Sequence, residues 1–292
     1  MATVGFIGLG IMGNAMVSRL LDKEYALTVL ANRSRTNVEA AMARGASEAA
    51  TPKSLAEASD VVMLCVDTSE SVEARMRGAD GIIAGLKPGA VVIDFGTSLP
   101  ASTRKLAQEV AQAGGAYLDA PLGRTPQHAF DGLLNIMCAG DRAAFDRVEP
   151  ILKDLGENVF HLGESGSGHT IKLLNNFFGM TVANAMAEVM AVADVAGIER
   201  KQAYDVIAAG PLHSMMMDFV AAYGIDGDSS KLAFSIQNAS KDLGYYRQMT
   251  RDAGVESVMA VPAAESMADA SRTMGDQMVS EMVDYYAKRF SS

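Results

Sequence analysis

The N-terminal segment constrains this chain more than any other stretch. A short apolar run, Thr3-Val4-Gly5-Phe6-Ile7, leads directly into Gly8-Leu9-Gly10-Ile11-Met12-Gly13, and the residues that follow, 14–21, carry apolar side chains at helical spacing. That is strand, tight turn, helix. The first glycine permits the turn, the second lets a pyrophosphate approach the backbone, and the third allows the helix to pack closely on the strand. The unpaired amides at the helix start favour phosphate charge. In this context Gly8, Gly10, Ile11, Met12 and Gly13 read as a dinucleotide-binding turn; an ordinary glycine turn is the alternative.

The segments behind it support that reading. Strands are predicted over 26–30, 61–66, 91–95, 116–119, 133–139 and 159–162, with helices over 38–44, 101–113 and 143–155. Such alternation calls for an α/β fold, a doubly wound parallel sheet with helices on both faces. From Gly168 onward strand signals cease. A helix is expected over 169–196, about 42 Å long at 1.5 Å per residue. That length suggests a helix bridging two domains and contacting a second subunit, with Asn176, Gly179, Ala183 and Ala187 suited to close packing. The expectation is a Rossmann domain over 1–163 and an all-α domain over 164–292, and 292 residues suffice for two domains.

Composition narrows the function classes. A net charge of −10 disfavours nucleic acid and acidic membrane surfaces as partners. No apolar run is expected to approach the roughly 20 residues that cross a bilayer. The start of the chain lacks the basic region and cleavage site of a secretory signal, so a soluble, cytoplasmic protein is expected. Cys65 and Cys138 stand singly in apolar segments and read as reduced core residues. His128, His161, His169 and His213 lack the spacing that puts two imidazoles on one ion, so no metal site is expected. The Met215-Met216-Met217 run reads as core filling, or, with His213, as an apolar wall beside a substrate.

The end of the second strand separates the two nicotinamide cofactors, because an acid there binds a ribose 2′-hydroxyl and repels a 2′-phosphate. Here the segment is Ala31-Asn32-Arg33-Ser34-Arg35-Thr36, with no acid. Asn32, Arg33, Ser34 and Arg35 offer two guanidiniums and a hydroxyl to a phosphate, so NADP(H) is expected in preference to NAD(H). A solvated charge run is the alternative. Further cofactor contacts are expected from the loops after later strands, Val66-Asp67-Thr68-Ser69 and Gly96-Thr97-Ser98.

In Gly166-Ser-Gly-His-Thr-Ile-Lys172-Leu-Leu-Asn-Asn176 a glycine turn opens the long helix, and Lys172 and Asn176, four apart, share one helix face. Such a lysine can protonate a carbonyl oxygen as hydride reaches its carbon, or take the hydroxyl proton in reverse, while Asn176 holds the same oxygen or an acid group. Taken alone, the motif fits an exposed helix lysine better.

Four motifs in order change that balance: Gly5-Phe-Ile-Gly-Leu-Gly-Ile-Met-Gly13, Asp119-Ala-Pro-Leu-Gly123, the Gly166–Asn176 segment, and Lys241-Asp242-Leu243. Over essentially its whole length the chain resembles the β-hydroxyacid dehydrogenase family. The resemblance implies a Rossmann domain joined to an all-α domain and homodimers or homotetramers built through the latter. It implies Lys172 as catalytic acid/base, Asn176 and Thr97 supporting substrate and nicotinamide, and Lys241 near both.

One departure bears on the substrate. Where many relatives carry Ser-Gly-Gly in the loop that receives a carboxylate, this chain has Gly123-Arg124-Thr125. That form resembles the sulfolactaldehyde reductases, in which the Arg and Thr meet a sulfonate. A small anionic aldehyde, or the matching alcohol, is therefore the expected substrate, with Gly123, Arg124 and Thr125 binding its acid group. The alternative is that Arg124 faces solvent or pairs with an acid such as Asp131. Rival readings are a carboxylate semialdehyde reductase of the hydroxyisobutyrate, tartronate or succinic semialdehyde type, an imine reductase, and a non-catalytic cofactor-binding scaffold. Lys172 argues against the last two.

Overall fold

The computed structural model describes residues 2–31 and 35–291. The chain divides into two compact units, Met1–Lys172 and Leu173–Ser292.

The first unit is built around strands β1 (Val4–Ile7), β2 (Leu27–Leu30), β3 (Ser47–Ala49), β4 (Val61–Leu64), β5 (Val91–Asp94), β6 (Ala116–Asp119), β7 (Leu122–Gly123), β8 (Leu134–Gly140) and β9 (Gly156–His161). Its helices are α1 (Ile11–Asp22), α2 (Thr36–Ala43), α3 (Pro52–Ala58), α4 (Ser69–Met76), α5 (Ile82–Gly85), α6 (Pro100–Gln112), α7 (Pro126–Asp131) and α8 (Arg142–Leu155). Strands β1 to β6 are parallel in the order β3-β2-β1-β4-β5-β6, and β1 lies between β2 and β4, where the winding reverses.

Residues of β1, β4 and β5 are buried throughout and alternate between two cores. Phe6, Met63 and Ile93 face one, with Met16 and Leu20 of α1; Leu64, Val92 and Ile7 face the other, with Leu55 of α3 and Leu106 of α6. Strands buried on both faces need continuous apolar runs, which is what these segments carry. Each fully buried large side chain contributes about 1.5–3 kcal/mol relative to exposure.

The expected parallel sheet holds from β3 to β6, and only its far end departs from it. β8 runs antiparallel to both β6 and β7, and β9 returns parallel to β8. A parallel return needs a long crossover, and α8 provides one between β8 and β9. Between β6 and β8 the chain has only β7 and the short α7, so β8 runs back the opposite way.

Helix α9 (Ser167–Val195) carries the boundary between the units inside it. The opening of α9 is bound into the first unit. The Asp119 carboxylate accepts hydrogen bonds from the amides of Gly166 (2.8 Å) and His169 (2.9 Å), and His169 Nδ1 lies 2.7 Å from Thr103 Oγ1.

The second unit contains the rest of α9 with α10 (Arg200–Ala208), α11 (Met215–Asp226), α12 (Ile236–Asp252), α13 (Ala260–Met274) and α14 (Met282–Phe290). By length and composition α9 could cross a membrane, so the expectation that no such run exists is corrected. What distinguishes it is packing: Met180, Ala183, Ala187, Met190 and Ala191 are buried in the helical core with Val220, Leu243, Met267 and Met282. Its small residues allow that close approach.

Candidate active site

The glycine turn has the shape its sequence predicts. Gly8 stands at φ +99°, where a Cβ would lie 2.2 Å from Cys65 O, and a Cβ on Gly13 would lie 1.9 Å from Gly8 O. Neither position admits a side chain. A Cβ on Gly10, by contrast, meets nothing within 4 Å. The turn is therefore closed behind by strand and helix and open at Gly10, the N-cap of α1, where the first amides of a helix have no partner within it. This is the cradle a pyrophosphate needs. Asn37 Nδ2 braces it by donating to Leu9 O at 2.7 Å, a contact that no sequence signal announced.

The loops after β4 and β5 converge beside this turn. A Cβ on Gly96 would lie 2.9 Å from Val66 O, and Ser69 Oγ accepts from Leu99 N at 2.8 Å. Asp67 is exposed and Thr97 half-buried. Burial, then the nearby Asp94 and Asp67 carboxylates, pushes the Cys65 thiol up to about 12, and burial raises Cys138 further; neither cysteine forms a disulfide.

Of the residues expected to read the ribose phosphate, Asn32, Arg33 and Ser34 lie outside the described residues. Arg35 is described, and its Nη1 and Nη2 each lie 3.0 Å from the Glu48 carboxylate, with Nε 3.1 Å from Glu39. A 2′-phosphate at Arg35 must compete with these two acids.

The Asp119-Ala-Pro-Leu-Gly123 motif runs from β6 into β7. Lys172 Nζ, half-buried, donates to Leu122 O at 2.7 Å, so the ammonium sits directly beside the backbone that leads into Gly123, Arg124 and Thr125. Arg124 has φ +77° and does not pair with Asp131. Its Nη1 donates to Leu133 O (2.8 Å) and to Glu157 of β9 (2.5 Å), while Asp131 accepts from Gln127. Glu157 sits where the pairing of β8 and β9 shifts register, a feature the sequence does not mark. Thr125 Oγ1 lies 2.7 Å from His128 Nδ1.

In the second unit Asn176 and Lys241 meet on one acid. Asn176 Nδ2 donates to Asp242 Oδ2 at 2.6 Å, and Lys241 Nζ lies 3.2 Å from Asp242 Oδ1 and 5.5 Å from the Tyr245 ring centre. Adjacent helix residues do not ordinarily face each other, and here the long lysine stem folds back to a carboxylate that is only 2% exposed. His213 is drawn instead to Asp218 (2.8 Å), and the methionine run splits between buried Met217 and exposed Met215. Among the described residues no group of three or more His, Cys, Asp or Glu is placed to hold a metal ion.

Comparison with known proteins follows this geometry. Residues 3–163 match the NAD binding domain of 6-phosphogluconate dehydrogenase, and residues 166–286 match the NAD-binding domain of NADP-dependent 3-hydroxyisobutyrate dehydrogenase. The chain is 30% identical to 2-(hydroxymethyl)glutarate dehydrogenase of Eubacterium barkeri over 93% of its own length and 90% of that protein's. Among solved structures, Mycobacterium tuberculosis 3-hydroxyisobutyrate dehydrogenase with L-serine has the same fold (TM-score 0.84, 22% identity, 98% of this chain and 99% of that one). Psf3 in complex with NADP+ and 2-OPP is similar as well (TM-score 0.84, 26% identity, 98% and 100%). The chain belongs to the 3-hydroxyisobutyrate dehydrogenase-like β-hydroxyacid dehydrogenase family and is an NAD(P)-dependent oxidoreductase acting on CH–OH.

Proposed function

We propose that the chain reduces a small aldehyde bearing an acid group, or oxidises the matching primary alcohol, with NADP(H) preferred and Lys172 as the acid/base. The observation that carries this is the Lys172 ammonium held 2.7 Å from Leu122 O, at the entrance to the Gly123-Arg124-Thr125 loop. The bound nicotinamide supplies or accepts the hydride. Lys172 gives its proton to the carbonyl oxygen in reduction and receives it in the reverse direction. Arg124 and Thr125 receive the acid group, and a sulfonate uses a guanidinium and a hydroxyl together more fully than a carboxylate does.

One observation favours the second reading, a carboxylate semialdehyde. Glu157 already occupies Arg124, so an incoming anion must displace it. The similarity to an enzyme named for a hydroxymethyl dicarboxylic acid points the same way. The NADP(H) preference rests on the acid-free segment 31–36. Assembly as a homodimer or homotetramer belongs to the same reading, supported by Phe178, an apolar residue of α9 that is 71% exposed.

The test is steady-state kinetics with sulfonated and carboxylated aldehydes and both cofactors. Lys172→Ala is expected to lower kcat by about 10²- to 10⁴-fold while NADP(H) still binds. Near-normal turnover in that variant removes the acid/base assignment, and higher efficiency with NADH removes the NADP(H) preference.

A further inference from the structure

His169 is fully buried three residues before Lys172, and the chemistry above gives it no part. Its surroundings are unusually well defined. The backbone amide is held by Asp119, and Nδ1 lies 2.7 Å from Thr103 Oγ1 on α6. The other ring nitrogen, Nε2, has no hydrogen-bond partner among the described residues, and it lies 3.7 Å from Asp94 Oδ2 at the end of β5.

Asp94 is itself fully buried and organises the loop that follows it. Its Oδ1 accepts from Gly96 N (2.9 Å), and its Oδ2 accepts from Ser98 Oγ and Tyr117 OH (3.1 Å each). Burial, with Asp94 alongside, pushes the Tyr117 hydroxyl well above its ordinary range, so that group remains a donor. The residue between the two loop donors is Thr97. One carboxylate therefore holds the two residues that flank Thr97, and one imidazole, from the turn of α9 that carries Lys172, lies 3.7 Å from that carboxylate.

A bare Nε2 lone pair facing a buried carboxylate is repulsive, whereas an N–H is attracted to it. With hydrogen on Nε2, Nδ1 accepts from the Thr103 hydroxyl at 2.7 Å, which then gives up its longer 3.2 Å bond to Leu99 O; Nδ1 lies 3.9 Å from Asp119, farther from a carboxylate than Nε2 lies from Asp94. At 3.7 Å the Nε2 contact is longer than a hydrogen bond, and a small rotation of the ring closes it.

We propose that His169 is a positioning residue whose Nε2–H holds the Asp94 carboxylate and thereby registers the Gly96-Thr97-Ser98 loop against Lys172. The proposal rests on the reading of Lys172 as the acid/base. It extends that reading to the groups that keep the lysine and the loop aligned.

Two near-isosteres test it. Asparagine places its amide where Nδ1 stands, and glutamine reaches to the position of Nε2. His169→Gln is expected to keep kcat within about threefold of the parent, and His169→Asn to lose about 10- to 100-fold, the cost of a modest misplacement. NADP(H) affinity should change little in either, because the glycine turn is untouched. Hydrogen exchange should quicken at residues 96–98 and 166–172 in His169→Asn alone.

Equal kcat in the two folded variants, or a smaller loss with asparagine, overturns the proposal. Nitrogen-15 shifts of the histidine ring in the parent protein provide a check that needs no variant to fold. A protonated Nε2 supports the link to Asp94, and a neutral ring carrying its hydrogen on Nδ1 overturns it. Neither hydrogen exchange nor ring shifts depend on turnover. If Lys172→Ala remains active while both hold, the lysine assignment fails and the contact between His169 and Asp94 stands.

Discussion

At the scale of single residues, the proposed anion specificity of the loop after β7 turns on the ion pair between Arg124 and Glu157. Arg124 sits at φ +77°, a region that costs an ordinary L-residue roughly 1–2 kcal/mol and a glycine almost nothing. Arg124→Gly is therefore expected to keep or raise the melting temperature, which separates its effect on substrate from any effect on folding. In kinetics it should weaken sulfonated substrates more than short carboxylates. Glu157→Gln should do the opposite by releasing the guanidinium, lowering KM for sulfonated substrates several-fold. Equal effects on both substrate classes would remove Arg124 from specificity. The sequence showed Arg124 as an intruder in a loop where relatives carry small residues, but its partner came from β9, thirty-three positions away. Asp131, the acid the sequence suggested as its partner, proved to be engaged by Gln127.

At the scale of elements, the β1-turn-α1 unit yields a contrast between two glycines. A Cβ at Gly13 collides with Gly8 O, whereas one at Gly10 enters open space. Gly13→Ala is expected to lower stability by about 2–3 kcal/mol, in the range of other severe backbone clashes, and to abolish NADP(H) binding. Gly10→Ala should leave the unfolding transition in place and weaken the cofactor by about tenfold or more, because the methyl occupies the phosphate's approach. Chemical denaturation alongside fluorescence titration measures both, and a Gly10→Ala protein with parental affinity would refute the placement of the pyrophosphate. Strongly patterned elements such as α8 and β5 were legible in the sequence to within a residue or two. Short ones were not. β3, β7, α5 and α7 are too brief for periodicity to show, and β7 owes its strand character to its pairing with β8.

At the scale of the whole molecule, stability responds to pH through acids that join distant segments. Asp60, at the start of β4, accepts from the backbone amide and the hydroxyl of Thr3 and from Lys87. The Thr3 backbone hydrogen bond, then its hydroxyl, then Lys87, lowers the carboxyl to about 2. A lowered folded-state value means stabilisation that is complete above the ordinary carboxylate range and is lost as pH falls toward about 2. Asp60→Asn should reduce stability at neutral pH by about 1 kcal/mol or less, since the group is half exposed. That deficit should shrink between about pH 4 and 2 in melting experiments, and a constant deficit would show that the charge is not responsible. The sequence by itself determined the dinucleotide turn, the alternation of strand and helix, and the switch to helices, because glycine sterics and apolar periodicity act between near neighbours. It also marked Lys172 and the Asp119 motif. Only the tertiary structure decided that β8 runs backwards, that Arg124 answers to Glu157, that Asp242 gathers Asn176 and Lys241, and that His169 faces Asp94. The physical reason is that a polar side chain takes its partner from whatever folding brings within hydrogen-bond reach, and that distance is not written along the chain.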